Sequence, residues 1–92
     1  MESTCTDEHY ELYRLHTTPV NPGLMKTEGV GNHIKVDLYA LPVVKLGRFL
    51  SRVAEPLVLG DITLQDGRVV KGFLCQGYAA KDAENITAEG SF

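Results

Sequence analysis

Residues 62–78 constrain the fold of this chain more than any other stretch, and they read ITLQDGRVVKGFLCQGY. Two runs of apolar and β-branched residues flank the dipeptide Asp66-Gly67. That dipeptide readily adopts the φ > 0 conformations of a tight hairpin turn. The pattern therefore predicts two antiparallel strands, over residues 57–64 and 68–78, that are joined at this turn.

Three more strands are predicted before the hairpin, over residues 10–16, 24–28 and 33–41. The third has the clearest pattern, because apolar residues at positions 34, 36, 38 and 40 alternate with more polar ones. A strand that is buried on one face alternates in this way. The opposite face of this strand carries Lys35, Asp37 and Tyr39.

Prolines mark the ends of the other predicted elements. Pro42 fits the first turn of a helix, where its missing N–H costs nothing, and apolar residues then recur at helical spacing through Val53. Glu55-Pro56 ends that helix, because a residue before proline is disfavoured in the α region. Residues 17–23 contain two prolines within four positions and are predicted to form a loop.

The resulting order is β-β-β-α-β-β with short connections. This order predicts an α+β domain, in which a small, mostly antiparallel curled sheet or partial barrel packs with one main helix. We expect a polar segment over residues 1–9 that is either frayed or a leader, one domain over 10–87 and a polar tail over 88–92.

Composition excludes several classes of partner. The formal net charge is −3 and the pI is about 5.5, so no basic surface for nucleic acid is expected. No apolar run has the length of a membrane span, and residues 1–4 lack a signal-peptide pattern. We therefore predict a cytoplasmic protein with no nucleic-acid or membrane partner. Cys5 and Cys75 are not expected to form a disulfide.

Few side chains are candidates for chemistry. The three histidines match no metal-ligand spacing, so neither a metal nor a cofactor is predicted. Cys75 is either a nucleophile or a small hydrophobic residue in a strand, and no paired histidine favours the first interpretation. Asp37 either points into a pocket shared with Lys35 and Tyr39 or lies on a solvated face. Glu55, at the C-terminus of the predicted helix, opposes the helix dipole and is a second candidate carboxylate.

The residues also resemble a known family. Short motifs with the same order and spacing extend over most of the chain and are similar to the C-terminal domain of allophanate hydrolase. These motifs are Tyr10 with Leu12-Tyr13, Pro22-Gly23-Leu24 with Lys26, Asp37 to Pro42, Gly47-Arg48-Phe49, Pro56-Leu57, Gly60, Asp66-Gly67, Lys71 to Cys75, Asp82-Ala83 and Ile86-Thr87.

The resemblance implies a gamma-glutamylcyclotransferase-like fold, a small mixed barrel with a helix. In the full hydrolase an amidase domain cleaves allophanate, and the C-terminal domain is associated with decarboxylating the resulting intermediate. In cyclotransferase relatives a catalytic glutamate follows the central helix, and Glu55 lies close to that place. We therefore predict Glu55 and Asp37 as candidate catalytic residues, and Tyr10, Tyr39 and Lys35 as candidate binding residues.

Some family features have no counterpart in the chain. The family domain begins with an earlier strand and a Gly-Ala-His loop, Glu11 replaces a family arginine, and the closing Gly-Gly-Trp is Gly90-Ser91-Phe92 here. We expect the absence of the first strand to expose a sheet edge, and therefore predict a homodimer in which the partner covers it.

Two functions follow from these observations. The first is a shortened, stand-alone relative that binds a small carboxylate or amide compound, or assembles with a partner, without catalysis. The second is a reduced enzyme that acts on a small carbamoyl or gamma-glutamyl compound with a carboxylate as general base. The sequence leaves open which of the two applies.

Overall fold

The computed structural model describes all residues from 1 to 92 and contains seven strands, two α-helices and a short 3-10 helix. In chain order they are β1 (Glu2–Cys5), β2 (Tyr10–Arg14), β3 (Pro22–Lys26), β4 (Lys35–Leu38), α1 (Val43–Leu50), β5 (Leu57–Thr63), β6 (Val69–Cys75), α2 (Gly77–Lys81), β7 (Glu84–Asn85) and the 3-10 helix Thr87–Glu89.

The hairpin predicted around Asp66-Gly67 is present. β5 and β6 pair antiparallel from Leu57 opposite Cys75 to Thr63 opposite Val69. Gly67 has φ of 92°, a left-handed conformation that glycine adopts without a steric cost. The Asp66 carboxylate accepts a hydrogen bond from the backbone N–H of Arg68 at 3.0 Å and so stabilises the turn.

The strands form three small antiparallel sheets, with the orders β1-β4, β3-β2-β7 and β5-β6. Isolated bridges between Thr6 and Leu64 and between Tyr10 and Asn32 join these sheets. Together the sheets curl around one core without closing into a barrel. The predicted α+β fold class is therefore confirmed.

The main core lies inside this curl. Its members are apolar side chains contributed by β2, β3, β5 and the segments that flank β4, β5 and β7. They are Tyr10, Leu12, Leu24, Ile34, Ile62, Leu64 and Ile86. A smaller cluster of Leu15, Cys75 and Ala80 fills the space beside α2.

The expectation of a frayed segment over residues 1–9 is wrong. Glu2–Cys5 form β1, which pairs along the whole length of β4. Thr6 is fully buried, and its hydroxyl accepts a hydrogen bond from the backbone N–H of Ile34 at 2.9 Å. Backbone pairing and one buried hydroxyl order this segment, so its polar composition gave no signal of a strand.

The loop prediction for residues 17–23 is also partly wrong, because β3 begins at Pro22. Pro22 lies opposite Arg14, at the first position of the strand. Proline is tolerated there because the lost N–H removes no ladder hydrogen bond from the strand interior.

Helix α1 lies between Pro42 and Pro56, as predicted, but it is shorter and less buried than the helical spacing of its apolar residues suggests. It ends at Leu50, and none of its residues is buried. Val43 and Val44 are 84% and 91% exposed, while Phe49 contacts Phe73 with ring centroids 5.6 Å apart. Helical periodicity predicts that one face is apolar, but it does not say what covers that face.

Two glycines provide a matched test of this packing. A Cβ at Gly31 would clash with the Tyr10 carbonyl group, whereas a Cβ at Gly47 in α1 would have nothing within 4 Å. We expect Gly31→Ala to lower the free energy of unfolding by about 1–3 kcal/mol through overpacking. Gly47→Ala should raise it by about 0.5–1 kcal/mol, because alanine is the better helix former. Urea unfolding measures the free energy of unfolding of the two variants, and an equal change in both would contradict this difference in packing.

Candidate functional site

One cleft collects the polar side chains of the β1–β4 sheet. Its volume is about 400 Å³. β1 contributes Ser3, β4 contributes three consecutive residues, and the C-terminal segment contributes two more. The lining residues are Ser3, Lys35, Val36, Asp37, Ser91 and Phe92.

The strand register explains why these side chains meet. Ser3 lies directly opposite Asp37, and the Ser3 hydroxyl donates a hydrogen bond to Asp37 Oδ1 at 2.8 Å. Because side chains alternate along a strand, Lys35 and Asp37 project from the same face of β4. Both side chains are exposed, so they are available to a ligand in solvent.

The backbone of β4 adds a donor to this cleft. Thr6 N donates to Ile34 O at 2.9 Å, and this pairing sets which residues of β4 bond to β1. By the alternation of an antiparallel ladder, the backbone groups of Lys35 and Asp37 point away from β1. Lys35 N donates to Gly90 O at 2.8 Å, whereas the N–H of Asp37 has no partner within the chain.

The cleft therefore offers an ammonium group, a free backbone N–H, a hydroxyl and a carboxylate. The first two suit a carboxylate ligand, and the Asp37 carboxylate suits the N–H groups of an amide. Phe92 supplies apolar contact at this cleft, whereas the Val36 side chain packs against the main core.

A second depression, of about 510 Å³, is lined by His9, Lys26, Thr27 and Glu28. It has no apolar wall, and the His9 ring is already engaged by Gly29 O at 3.0 Å and by the Glu8 carboxylate at 3.4 Å. A ligand would therefore gain little here, and we prefer the cleft beside Asp37.

Only two of the five predicted site residues line that cleft, Lys35 and Asp37. Tyr39 lies one residue beyond the end of β4, is 72% exposed and does not line the cleft. Glu55 accepts a hydrogen bond from the Tyr78 hydroxyl at 2.7 Å, and this bond raises the pKa of the Tyr78 phenol. The catalytic and binding roles of these residues stay predictions.

Tyr10, the fifth predicted residue, is fully buried in the main core. Its hydroxyl accepts a hydrogen bond from the backbone N–H of Thr63 at 2.9 Å. In this structure the side chain therefore connects β2 to β5 and does not face a cavity.

Sequence reasoning missed Ser3, Ser91 and Phe92, because they lie in the segments assigned to a leader and a tail. The alternation within β4 was the only signal that pointed to this cleft. No sequence pattern indicated that β1 would be the partner strand of β4.

Burial argues against Cys75 as a nucleophile. Both cysteines are free, and burial raises the pKa of the Cys75 thiol. A thiol with a raised pKa is a poor nucleophile at neutral pH. Cys75 instead packs with Leu15 and Ala80 as a small hydrophobic residue. No three His, Cys, Asp or Glu side chains are grouped so that they could share a metal ion.

Comparison with known proteins gives the family. The profile of the allophanate hydrolase C-terminal domain matches residues 1–92. The chain belongs to this family.

Individual relatives agree with that assignment. The chain is 39% identical over 92 residues to a urea amidolyase of Lachancea kluyveri, a match that covers 95% of this chain and 5% of that protein. It is 33% identical to Kluyveromyces lactis allophanate hydrolase, with a TM-score of 0.93 over 100% of this chain and 16% of that structure. A uropathogenic E. coli-specific protein is 28% identical, with a TM-score of 0.89 over 99% of this chain and 70% of that chain.

These comparisons confirm the family predicted from the sequence motifs. They also show that the chain spans a small part of the urea amidolyase and of the allophanate hydrolase. No helix of the domain has both the length and the apolar character that a membrane crossing needs.

The buried position of Tyr10 generates a stability prediction. Tyr10→Phe removes the hydroxyl and leaves the Thr63 N–H without its partner. We expect the free energy of unfolding to fall by about 1–3 kcal/mol, the cost of an unsatisfied buried donor. Tyr39→Phe, at an exposed tyrosine, should change it by less than about 0.5 kcal/mol. Urea unfolding measures the free energy of unfolding of both variants. If Tyr10→Phe lowers it no more than Tyr39→Phe does, the Tyr10 hydroxyl does not stabilise the fold through Thr63.

Proposed function

We propose that this domain binds a small compound that carries both a carboxylate and an amide, and that it does so without catalysing a reaction. The observation that supports this function is the pairing of Lys35 with Asp37 in one cleft. Residues two apart on a strand are separated by about 7 Å along the chain. A short bifunctional ligand is long enough to reach both groups.

The ligand's two ends would contact different groups. The carboxylate accepts hydrogen bonds from the Lys35 ammonium and from the unpaired N–H of Asp37, while the amide N–H groups donate to the Asp37 carboxylate. Ser3 already donates to one oxygen of that carboxylate and holds it in place. Hydrogen bonds that involve an ionised partner are stronger than neutral ones.

The relatives suggest the class of compound. Their names are urea amidolyase and allophanate hydrolase, and allophanate is a ureido carboxylate with both required groups in one small molecule. We therefore propose a ureido or carbamoyl carboxylate as the ligand of the Lys35–Asp37 cleft.

A reduced enzyme is the competing function, with Asp37 or Glu55 as general base. A carboxylate that acts as a base at neutral pH needs a partly buried setting. Both side chains are exposed, and each accepts a hydrogen bond from a neighbouring hydroxyl. This exposure favours binding over catalysis.

Assembly is a second function, supported by a separate observation. The apolar side of α1, which we call the α1 face, consists of Val43, Leu46 and Phe49, and all three are exposed. Leu59 of β5 is exposed as well. Soluble domains rarely leave such a grouping in water unless another molecule covers it. We propose that the covering molecule is a second copy of this chain.

The binding proposal predicts a charge-dependent affinity. Lys35→Ala and Asp37→Asn should each weaken allophanate binding about fivefold or more, equivalent to about 1 kcal/mol. Lys45→Ala removes a lysine from α1 outside the cleft and should leave the affinity unchanged. Isothermal titration calorimetry with allophanate measures these effects, with urea and acetate as probes that carry only one of the two groups.

Several outcomes would contradict this function. Equal affinity for allophanate in all three variants would place the ligand elsewhere. Release of ammonia from allophanate, lost in Asp37→Asn or Glu55→Gln, would show that the domain is an enzyme.

The assembly proposal predicts a dimer in solution. Analytical ultracentrifugation at micromolar concentration should give twice the 10.1 kDa chain mass. Val43→Asp places a charge on the α1 face and should shift the protein toward monomer, because a buried unpaired charge is costly. Lys45→Asp, on the neighbouring polar side of α1, is the control. A wild-type monomer at every accessible concentration would refute the homodimer.

A further inference from the structure

Ser3, which contributes a hydroxyl to the cleft, lies one residue from the end of the β1–β4 sheet. That sheet has two strands and four residue pairs, and its last pair is Glu2 with Leu38. Two strands of this kind are only marginally stable without further contacts. The position of the Ser3 side chain therefore depends on what else holds the Glu2 end of β1.

Backbone hydrogen bonds attach β1 to the β5–β6 hairpin at only one end. Cys5 O accepts from Gln65 N at 3.0 Å, and Asp7 N, just beyond the strand, donates to Thr63 O at 3.0 Å. By the alternation of the antiparallel ladder, the N–H and C=O groups of Ser3 point away from β4. They have no backbone partner in the chain. The backbone therefore leaves the Ser3 end of β1 free on the side of the hairpin.

A side chain from the hairpin turn holds that end of β1. The Arg68 guanidinium donates to both oxygens of the Glu2 carboxylate, with an Nη1–Oε1 distance of 3.1 Å and an Nη2–Oε2 distance of 2.6 Å. Its Nε donates to Asp66 Oδ2 at 2.8 Å. These three side chains form what we call the Arg68 clamp, which joins the turn between β5 and β6 to the first residue of β1.

The turn also fixes the backbone of Arg68. Arg68 N donates to Asp66 Oδ1 at 3.0 Å, and Arg68 O accepts from Leu64 N at 2.8 Å. All three side chains of the clamp are about half exposed, and isolated exposed ion pairs contribute little to stability. The Arg68 clamp differs from such pairs, because one anchored guanidinium binds Glu2 in a bidentate geometry and shares a second carboxylate.

We infer that Arg68 is a positioning residue for the ligand cleft. By holding Glu2 it keeps the neighbouring Ser3 in register, so that the Ser3 hydroxyl stays bonded to Asp37. This inference rests on the proposed binding function and identifies a residue on which the affinity depends. Arg68 does not line the cleft, so it acts through β1 and not by contact with the ligand. Opening of the Glu2 end lowers the fraction of molecules that can bind, and the apparent affinity falls in proportion.

Two substitutions that break the clamp change the charge in opposite directions. Arg68→Gln removes a positive charge and Glu2→Gln removes a negative one. Each should weaken allophanate binding about threefold, because each lets the end of β1 open. A long-range effect of charge on this anionic ligand would instead strengthen binding in one variant and weaken it in the other.

Isothermal titration calorimetry with allophanate measures these affinities, and the hairpin offers a matched control. Lys71→Gln removes a positive charge, as Arg68→Gln does, and breaks the ion pair with Asp61. That pair lies within the hairpin and does not reach β1, so Lys71→Gln should leave the affinity unchanged. A loss in Lys71→Gln as large as that in Arg68→Gln would overturn the inference.

A double-mutant cycle tests whether Arg68 acts through Ser3. Ser3→Ala should weaken allophanate binding at least as much as Arg68→Gln does, because Asp37 loses the same hydrogen bond. In the Ser3→Ala background, Arg68→Gln should change the affinity by less than about 1.5-fold, since no hydroxyl is left to position. An equal loss in both backgrounds would show that Arg68 acts on the whole fold and would overturn the inference.

Amide hydrogen exchange reports the clamp without any ligand. The N–H of Leu38 faces Glu2 in a hydrogen-bonded pair of the ladder and should exchange faster in Arg68→Gln. The N–H of Ile34, which donates to the Thr6 hydroxyl near the other end of β1, should keep its rate. Circular dichroism confirms that the variant folds. An unchanged rate at Leu38 would mean that Arg68 does not hold β1, and the inference would be wrong.

The outcomes separate this inference from the binding function itself. Equal allophanate affinity in the wild type and in both clamp variants leaves the binding function standing and excludes a positioning role for Arg68. A wild type that does not bind allophanate overturns the binding function and this inference together. Weaker binding in both Arg68→Gln and Glu2→Gln, with faster exchange at Leu38, supports the positioning role.

Discussion

Two buried polar side chains, Thr6 and Tyr10, hold the three small sheets together. The Thr6 hydroxyl accepts from the N–H of Ile34 beside β4, and Thr6 also bridges to Leu64 at the end of β5. The Tyr10 hydroxyl accepts from Thr63, which connects β2 to β5. Each sheet is too small to bury an apolar face alone. Because these contacts bring the sheets to one core, the rest of the fold depends on them.

The candidate site depends on the same contacts. The pairing of Thr6 with Ile34 continues into the β1–β4 ladder, which places Ser3 opposite Asp37. It also decides that the backbone of Asp37 points away from β1 and into solvent. The geometry of the cleft is therefore a consequence of strand register, and a shift of one residue would move Lys35 and Asp37 to the other face.

Part of the fold and of the candidate site could be predicted from residues that are close together in the sequence. Asp66-Gly67 specified the hairpin, and the alternation around Asp37 correctly identified both a strand and the face that carries Lys35. β1 escaped prediction because its strand character comes from pairing with β4, which lies far away in sequence. For the same reason Tyr10 was predicted as a binding residue, since its sequence neighbours do not reveal that its hydroxyl reaches Thr63.

The sequence by itself determined the hairpin turn, the helix start at Pro42, the polarity of the two faces of β4 and, through its motifs, the family. These properties depend on backbone preferences and side-chain polarity within a few residues of each other. Only the tertiary structure decided which strands pair, which hydroxyls are buried, and that the apolar side of α1 remains uncovered. Those outcomes depend on contacts between distant segments, whose partners are selected by the packing of the whole core and not by any local pattern.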